Sequence, residues 1–165
     1  MKVKPRRASG VAGRSGKTGR RGVVNDYVHG ATGKSGKAIA STLAPARVIE
    51  FIEQGLPIRE LDDLQASLDV EMGKLAPMLG ISKATLHRRK AEGRLEPAES
   101  DRVLRFARLL GKAVTVLGRV EEARQWLNSP QLGLGGAIPL NYAQTEMGAR
   151  EVEYLLGRIE YGVYS

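Results

Sequence analysis

From residue 45 onward, apolar side chains recur at helical spacing, and each run is bounded by residues that start or stop helices. Val48, Ile49 and Ile52, followed by Leu56, predict a helix over about 45–54 that Gly55 stops. Pro57 suits the first turn of a second helix, with Leu61, Leu64 and Leu68 as its stripe. Asp69 is placed to cap a third, short helix ending near Leu79 and Gly80. Ser82 is placed to cap a fourth, which runs to Glu92 and Gly93. Pro97 opens a long fifth helix with Val103, Phe106, Ala107, Leu110, Val114 and Leu117 along one face, and Gly118 ends it. A sixth covers about 119–127, with Trp126 and Leu127 inward and Asn128-Ser129-Pro130 closing it. A connector carrying Gly133, Gly135 and Gly136 leads to Pro139, and a final helix spans about 145–161 with Thr145 as its cap. No segment shows a convincing strand pattern, so the expected fold is all-α.

Residues 1–40 break this pattern. They hold eight of the 20 glycines and almost no large apolar side chains, too little burial to offset the entropy of ordering, so they read as a flexible tail. Glycine recurs every third residue from Gly10 to Gly22, but without proline and over too few triplets for a collagen helix. The tail also carries the charge. Ten of the 26 Lys and Arg lie in it against Asp26 alone, whereas residues 41–165 hold 16 basic and 17 acidic side chains. The net charge of +8 therefore says little about the folded part. An arm that touches nucleic-acid phosphates and a solvated linker both fit such a segment.

Several chemistries are excluded. Gly16-Lys17-Thr18 and Gly33-Lys34-Ser35 look like pieces of a phosphate-binding loop, but the first glycine such a loop needs is replaced by Val11 and Val28. With no cysteine there is no disulfide framework or thiolate nucleophile, a composition that fits a reducing, cytoplasmic setting. His29 and His87 are the only histidines, so no catalytic triad or histidine-rich metal site can be assembled. No enzyme activity, metal or cofactor is expected. The apolar runs are too short for a membrane span, and the basic N-terminus lacks the apolar core of a secretory signal.

Ala76, Gly80 and Leu86 stand at the spacing of a helix-turn-helix. That motif needs a small residue where two helices cross, glycine where the turn takes positive φ, and an apolar residue seating the second helix on the first. Leu75, Leu79 and Ile81 supply further core contacts. With Leu86 inward, Ala84, His87, Arg88 and Ala91 face outward, and Ser82, Lys83 and Thr85 lie at the start of the second helix. This is the surface a recognition helix lays in a major groove. Arg88 suits a guanine, His87 a base edge or phosphate, and Arg89 and Lys90 fall nearer the backbone. A helical hairpin with a solvated basic face fits the same residues. Pro77 lies inside the supporting helix and cannot donate to the carbonyl of Gly73, which calls for a late helix start or a kink.

The C-terminal end is unusual. The last helix breaks at Gly162, leaving the aromatic, nearly uncharged tip Tyr161-Gly162-Val163-Tyr164-Ser165. Chain ends are usually polar and frayed, so an aromatic end reads as something that docks, onto this protein's own core or into a partner's pocket.

A family resemblance bears on both regions. Glu99-Ser100-Asp101-Arg102, Ala107-Arg108-Leu109-Leu110, Ala123-Arg124-Gln125-Trp126-Leu127, Leu134-Gly135-Gly136-Ala137-Ile138-Pro139-Leu140, Thr145-Glu146-Met147-Gly148-Ala149 and the stretch Gly157 to Ser165 together carry it. They resemble the Xre-type antitoxins of bacterial RES–Xre toxin–antitoxin systems, relatives of the MbcA and ParS antitoxins. The likeness covers about residues 45–165 and omits the basic tail. Beyond the flexible tail read over 1–40, it implies an Xre-like helix-turn-helix region over 41–95 that binds operator DNA, and a small helical toxin-binding domain over 96–165. By the same resemblance the partner is a RES-domain toxin, related to ADP-ribosyltransferases and consuming NAD. Tyr161, Gly162, Val163, Tyr164 and Ser165 would plug its active site, with Arg158 and Glu160 at the base of the plug. A homodimer within a larger toxin–antitoxin complex is expected. The rival is a plain helix-turn-helix regulator whose C-terminal domain only dimerises.

Overall fold

The computed structural model describes residues 22–30 and 43–163. The helices are α1 (Val23–His29), α2 (Pro45–Gln54), α3 (Arg59–Leu68), α4 (Met72–Met78), α5 (Lys83–Glu92), α6 (Pro97–Leu117), α7 (Val120–Asn128), α8 (Pro139–Tyr142) and α9 (Glu146–Glu160). The only pairings of strand type among the described residues are the isolated bridges Pro57–Arg94 and Gln131–Ala137. The fold is all-α, as the periodicity predicts.

The long helix α6 is the axis of the molecule, packing against α1, α2, α3, α7 and α9. Val103, Leu104, Phe106, Ala107, Leu109, Leu110, Ala113 and Val114 are all buried, so most of its circumference faces protein. Burying a side chain such as Phe106 stabilises the fold by about 1.5–3 kcal/mol relative to leaving it in water. Pro97 opens α6, and Gly118 at φ 88° closes it in the left-handed conformation. One continuous core runs through all these elements, from Val23 to Leu156. Polar clasps reinforce it: Arg124 of α7 donates to the carbonyls of Ser67 and Ala66 at the end of α3, and Arg108 of α6 pairs with Glu153 of α9 at 3.1 Å.

Several expectations need correction. Residues 23–29, expected to lie in a flexible tail, form α1, with Val24 and Val28 fully buried against α6 and α3. The carboxylate of Glu60, itself buried, accepts from the N–H groups of Val23 (3.2 Å) and Val24 (3.0 Å), satisfying donors that a helix start leaves unpaired. Gly111 lets α1 close on α6, since a Cβ there would run into the Tyr27 carbonyl. Residues 1–21 and 31–42, which take in the rest of that 1–40 segment, lie outside the described residues, and Gly16-Lys17-Thr18 and Gly33-Lys34-Ser35 with them.

Asp69 does not cap the third of the predicted helices. It terminates α3 at φ 54°, and α4 begins later, at Met72 after Glu71. Short acidic side chains tolerate that left-handed backbone better than most. On α2 the inward residues are Val48, Phe51 and Ile52, while Ile49 is exposed. Trp126 is half-buried rather than fully inward. The glycine-rich connector is itself structured: a 3₁₀ turn over Leu132–Leu134, closed by Gln131 N–H donating to the Ala137 carbonyl at 3.0 Å, precedes the single-turn α8.

Candidate nucleic-acid interface and C-terminal docking end

The α4–turn–α5 unit has the geometry that its spacing requires. Gly80 takes φ 68° in the turn, where the N–H of Ile81 donates to the Ala76 carbonyl (2.8 Å) and that of Gly80 to the Pro77 carbonyl (2.9 Å). This pair of bonds is the Schellman ending of a helix, with Ile81 buried behind it. Leu75, Ala76 and Leu79 are buried, and Leu86 packs from α5 onto the same core. Arg102 of α6 donates to the Leu79 carbonyl at 3.0 Å and braces the turn from below. The start at Met72 does not bring Pro77 into the first turn, so it remains inside α4. It falls in the last turn of α4, and the carbonyl it leaves without a donor belongs to the exposed Gly73.

Helix α5 starts at Ser82, whose Oγ accepts from the Thr85 N–H at 3.1 Å, and ends at Gly93 at φ 76°. Lys83, Ala84, His87, Arg88, Lys90 and Ala91 are exposed, as is Ser82, while Thr85 is half-buried. The structure thus brings six of the seven predicted reading residues to the surface at least in part. Arg89 is the exception and is withdrawn from the reading face. It is 4% exposed and enclosed by three carboxylates, pairing with Glu92 (2.7 Å), Glu99 (2.8 Å) and Glu96.

Glu96 and Glu99 form the capping box of α6, in which the Glu96 N–H donates to Glu99 at 2.9 Å. Arg89 therefore bolts the C-terminal half of α5 to the start of α6 and sets the angle of the exposed face. Burial pushes the Glu99 carboxyl up, but the Arg89 guanidinium and the Glu96 N–H outweigh that and hold it below the usual carboxylate range. The Glu99 and Glu92 carboxylates in turn raise the pKa of Arg89 and keep it charged. The signal for this lock was present in the sequence as Glu at the cap and third positions of α6, but its partner is visible only once α5 and α6 meet.

The second candidate region is the outer end of α9. Thr145 caps the helix, its Oγ1 accepting from the Gly148 N–H at 3.0 Å. Ala149, Val152 and Leu156 bury the inner face. Opposite them, Met147 (70% exposed), Tyr154 (65%) and Tyr161 (80%) recur every seven residues along the solvent side. Past Tyr161 the chain turns at Gly162, φ 66°, where the N–H of Val163 donates to the Arg158 carbonyl (2.9 Å) and that of Gly162 to the Ile159 carbonyl (3.1 Å). Helix and tip are thus continuous through hydrogen bonds as far as Val163, which is exposed, as are Arg158 and Glu160. Tyr161 does not fold back onto the core. Tyr164 and Ser165 lie outside the described residues.

The fold and these two regions define a helix-turn-helix protein carrying an appended helical domain with an exposed apolar end. Residues 47–108 match the antitoxin Xre-like helix-turn-helix domain, and residues 112–162 match the antitoxin Xre/MbcA/ParS C-terminal toxin-binding domain. The two matches meet inside α6. An antitoxin Xre of Yersinia enterocolitica is 33% identical over 120 residues, 72% of this chain and 81% of the relative. An antitoxin Xre of Photorhabdus laumondii is 34% identical over 117 residues, covering 70% and 79%. A protein of a Sphingobium species named Prs ADP-ribosylating antitoxin is 26% identical over 132 residues, covering 74% and 83%. The chain belongs to the Xre family of antitoxins, with a DNA-binding helix-turn-helix and a toxin-binding domain. No helix among the described residues is long and apolar enough to cross a membrane.

Proposed function

We propose that this antitoxin neutralises a cognate RES-type, NAD-consuming toxin by inserting its C-terminal end into the toxin's active-site cleft, and that it represses its own operon through α5. The observation that carries the first half is the solvent-facing Tyr161, 80% exposed at the end of a hydrogen-bonded helix inside the toxin-binding match. A cleft shaped for NAD offers slots for flat rings and donors for phosphate oxygens, and tyrosine brings both a ring and a polar tip. Delivering the tip from α9 limits the entropy lost on docking, because the helix is already ordered. Residues 161–165 act as the plug, with Arg158 and Glu160 at its base. The name of the Sphingobium relative supports a target that handles ADP-ribose.

The repression half rests on the exposed Lys83, His87 and Arg88 of α5, and a homodimer would present two such helices to a paired operator. The test is co-expression with the toxin from the adjacent reading frame, with cellular NAD and growth as readouts. Deleting residues 161–165 is expected to leave the fold intact and abolish protection. A truncated chain that still preserves NAD would overturn the plug. An adjacent frame encoding no such toxin would favour the plain regulator instead.

A further inference from the structure

We infer that the toxin is held by an apolar docking face along α9, separate from the plug, with Leu132 and Tyr154 as its anchors. This rests on the plug reading for the identity of the partner and deepens it. Binding then belongs to the face, and inhibition to the tip.

Leu132 is 97% exposed, yet the turn that carries it is firmly closed. The N–H groups of Leu134 and Gly136 donate to the Gln131 carbonyl at 3.0 and 2.9 Å, and that of Gly135 to the Leu132 carbonyl at 2.9 Å. The side-chain amide of Gln131 donates to the carbonyls of Trp126 (2.9 Å) and Ser129 (3.1 Å), pinning the turn to the end of α7. The turn also rests on α9, since a Cβ at Gly133 would strike the Leu155 side chain. An ordered backbone thus holds a large apolar side chain in water, where it adds nothing to the core of the described residues.

The Gly133–Leu155 contact places the residues preceding each, Leu132 and Tyr154, on adjoining parts of the surface. Along α9 the patch continues to Met147 and Tyr161, seven residues either way from Tyr154 and so on the same face. The flank toward α6 is neutralised within the chain. Arg108 pairs with Glu153 (3.1 Å), and Glu146 with Arg105 (3.0 Å) and Arg150 (3.3 Å). An apolar centre beside a rim of paired charges is the anatomy of a protein interface.

Area decides between occupants. At about 150 Å² per large side chain, Leu132, Met147, Tyr154 and Tyr161 present roughly 450 Å², the size of the largest patch on an ordinary monomer. Against a second copy, two such patches would bury roughly 900 Å², short of the about 1,200 Å² of a stable pair. A toxin that also takes the tip adds the surface of that tip and of its own cleft. The face runs without a break into the hydrogen-bonded turn at Gly162, and all of it lies within residues 112–162, the toxin-binding match. The complementary surface is an apolar patch beside the mouth of the toxin's cleft.

The test separates binding from inhibition, using the full 165-residue chain and the purified toxin from the adjacent reading frame. Leu132→Ser and Tyr154→Ala are each expected to weaken binding in titration calorimetry by about tenfold to a hundredfold, with thermal unfolding unchanged. At saturating amounts, both variants still block NAD hydrolysis. A chain lacking residues 161–165 is expected to bind the toxin and leave NAD hydrolysis running. Ile49→Ala trims an exposed apolar residue of the helix-turn-helix region and is expected to bind as the unmodified chain does. Unchanged affinity in both Leu132→Ser and Tyr154→Ala overturns the docking face, as does an equal loss in Ile49→Ala. A shortened chain that no longer binds overturns its separation from the plug. Inhibition by the shortened chain sinks the plug but leaves the face standing, so the two failures are distinguishable. Should the two substitutions instead convert a free dimer to a monomer in sedimentation, the face joins two copies and the inference falls.

Discussion

Replacing Tyr161 by alanine separates the roles of folding and docking. The ring is 80% exposed and follows the last turn of α9, so its removal takes nothing from the core. Surface changes of this kind shift stability by no more than about 0.5 kcal/mol. If the ring enters a partner's pocket, about 150 Å² of apolar surface leaves the water there, and at about 25 cal/mol per Å² the ceiling is close to 4 kcal/mol. Truncated anchor residues at protein interfaces cost about 2–4 kcal/mol, which corresponds to a loss of affinity of about 30-fold to 1000-fold. The assay is titration calorimetry of Tyr161→Ala against the purified toxin, alongside thermal unfolding of the free antitoxin. Unchanged affinity would refute the reasoning outright. So would a large drop in melting temperature, because it would mean that the ring supports the fold and not the interface.

Three other outcomes are expected. Arg88→Ala lowers operator affinity by about 1–3 kcal/mol if the guanidinium makes a bidentate base contact, and an unchanged gel-shift titration removes it from the reading face. Gly111→Ala forces a methyl group against the Tyr27 carbonyl, so it lowers stability by about 1–3 kcal/mol in thermal unfolding. The gain that helix propensity alone would give, up to about 1 kcal/mol, would show that α1 does not seat there. The third concerns pH. The folded-state pKa of Glu99 lies below its unfolded value, so its contribution to stability is complete above about pH 5 and fades as pH falls through the folded pKa. Denaturant titrations should therefore show the gap between the unmodified chain and Glu99→Gln narrowing between pH 6 and pH 3, and a constant gap would contradict the Arg89–Glu99 lock.

The boundaries of α5, α6, α7 and α9 are largely legible in the sequence because each carries its own local marker, whereas the single-turn α8 is not. Ser82, Pro97 and Thr145 open helices and Gly93 and Gly118 close them, whatever lies across the core. Helix α1 is hidden at the level of composition, because its short pattern, Val23-Val24 followed by Tyr27-Val28, lies among glycine and positive charge. That pattern alone would not have sufficed, since seven residues are too few to hold a helix in water without tertiary packing. Asp69 is ambiguous from sequence because the same residue type suits a helix start and a left-handed ending, and here it ends α3.

Within the candidate sites, local pattern is enough to fix which side chains α5 offers, since a ten-residue helix seated by Leu86 leaves Lys83, His87 and Arg88 outward. It also determined that the closing segment is apolar and breaks at Gly162, because glycine takes that left-handed turn without strain. The fate of Arg89, by contrast, depends on the packing of α5 against the start of α6. A guanidinium between Arg88 and Lys90 looks as available as its neighbours until three carboxylates, one from its own helix and two from the start of α6, close around it. The same holds for Glu60, a surface residue by type, which becomes the socket of α1 because a helix from 36 residues upstream in the chain brings it two unpaired N–H groups. Local pattern governs where helices begin and end, while the partners of buried charges depend on contacts between segments far apart in the chain.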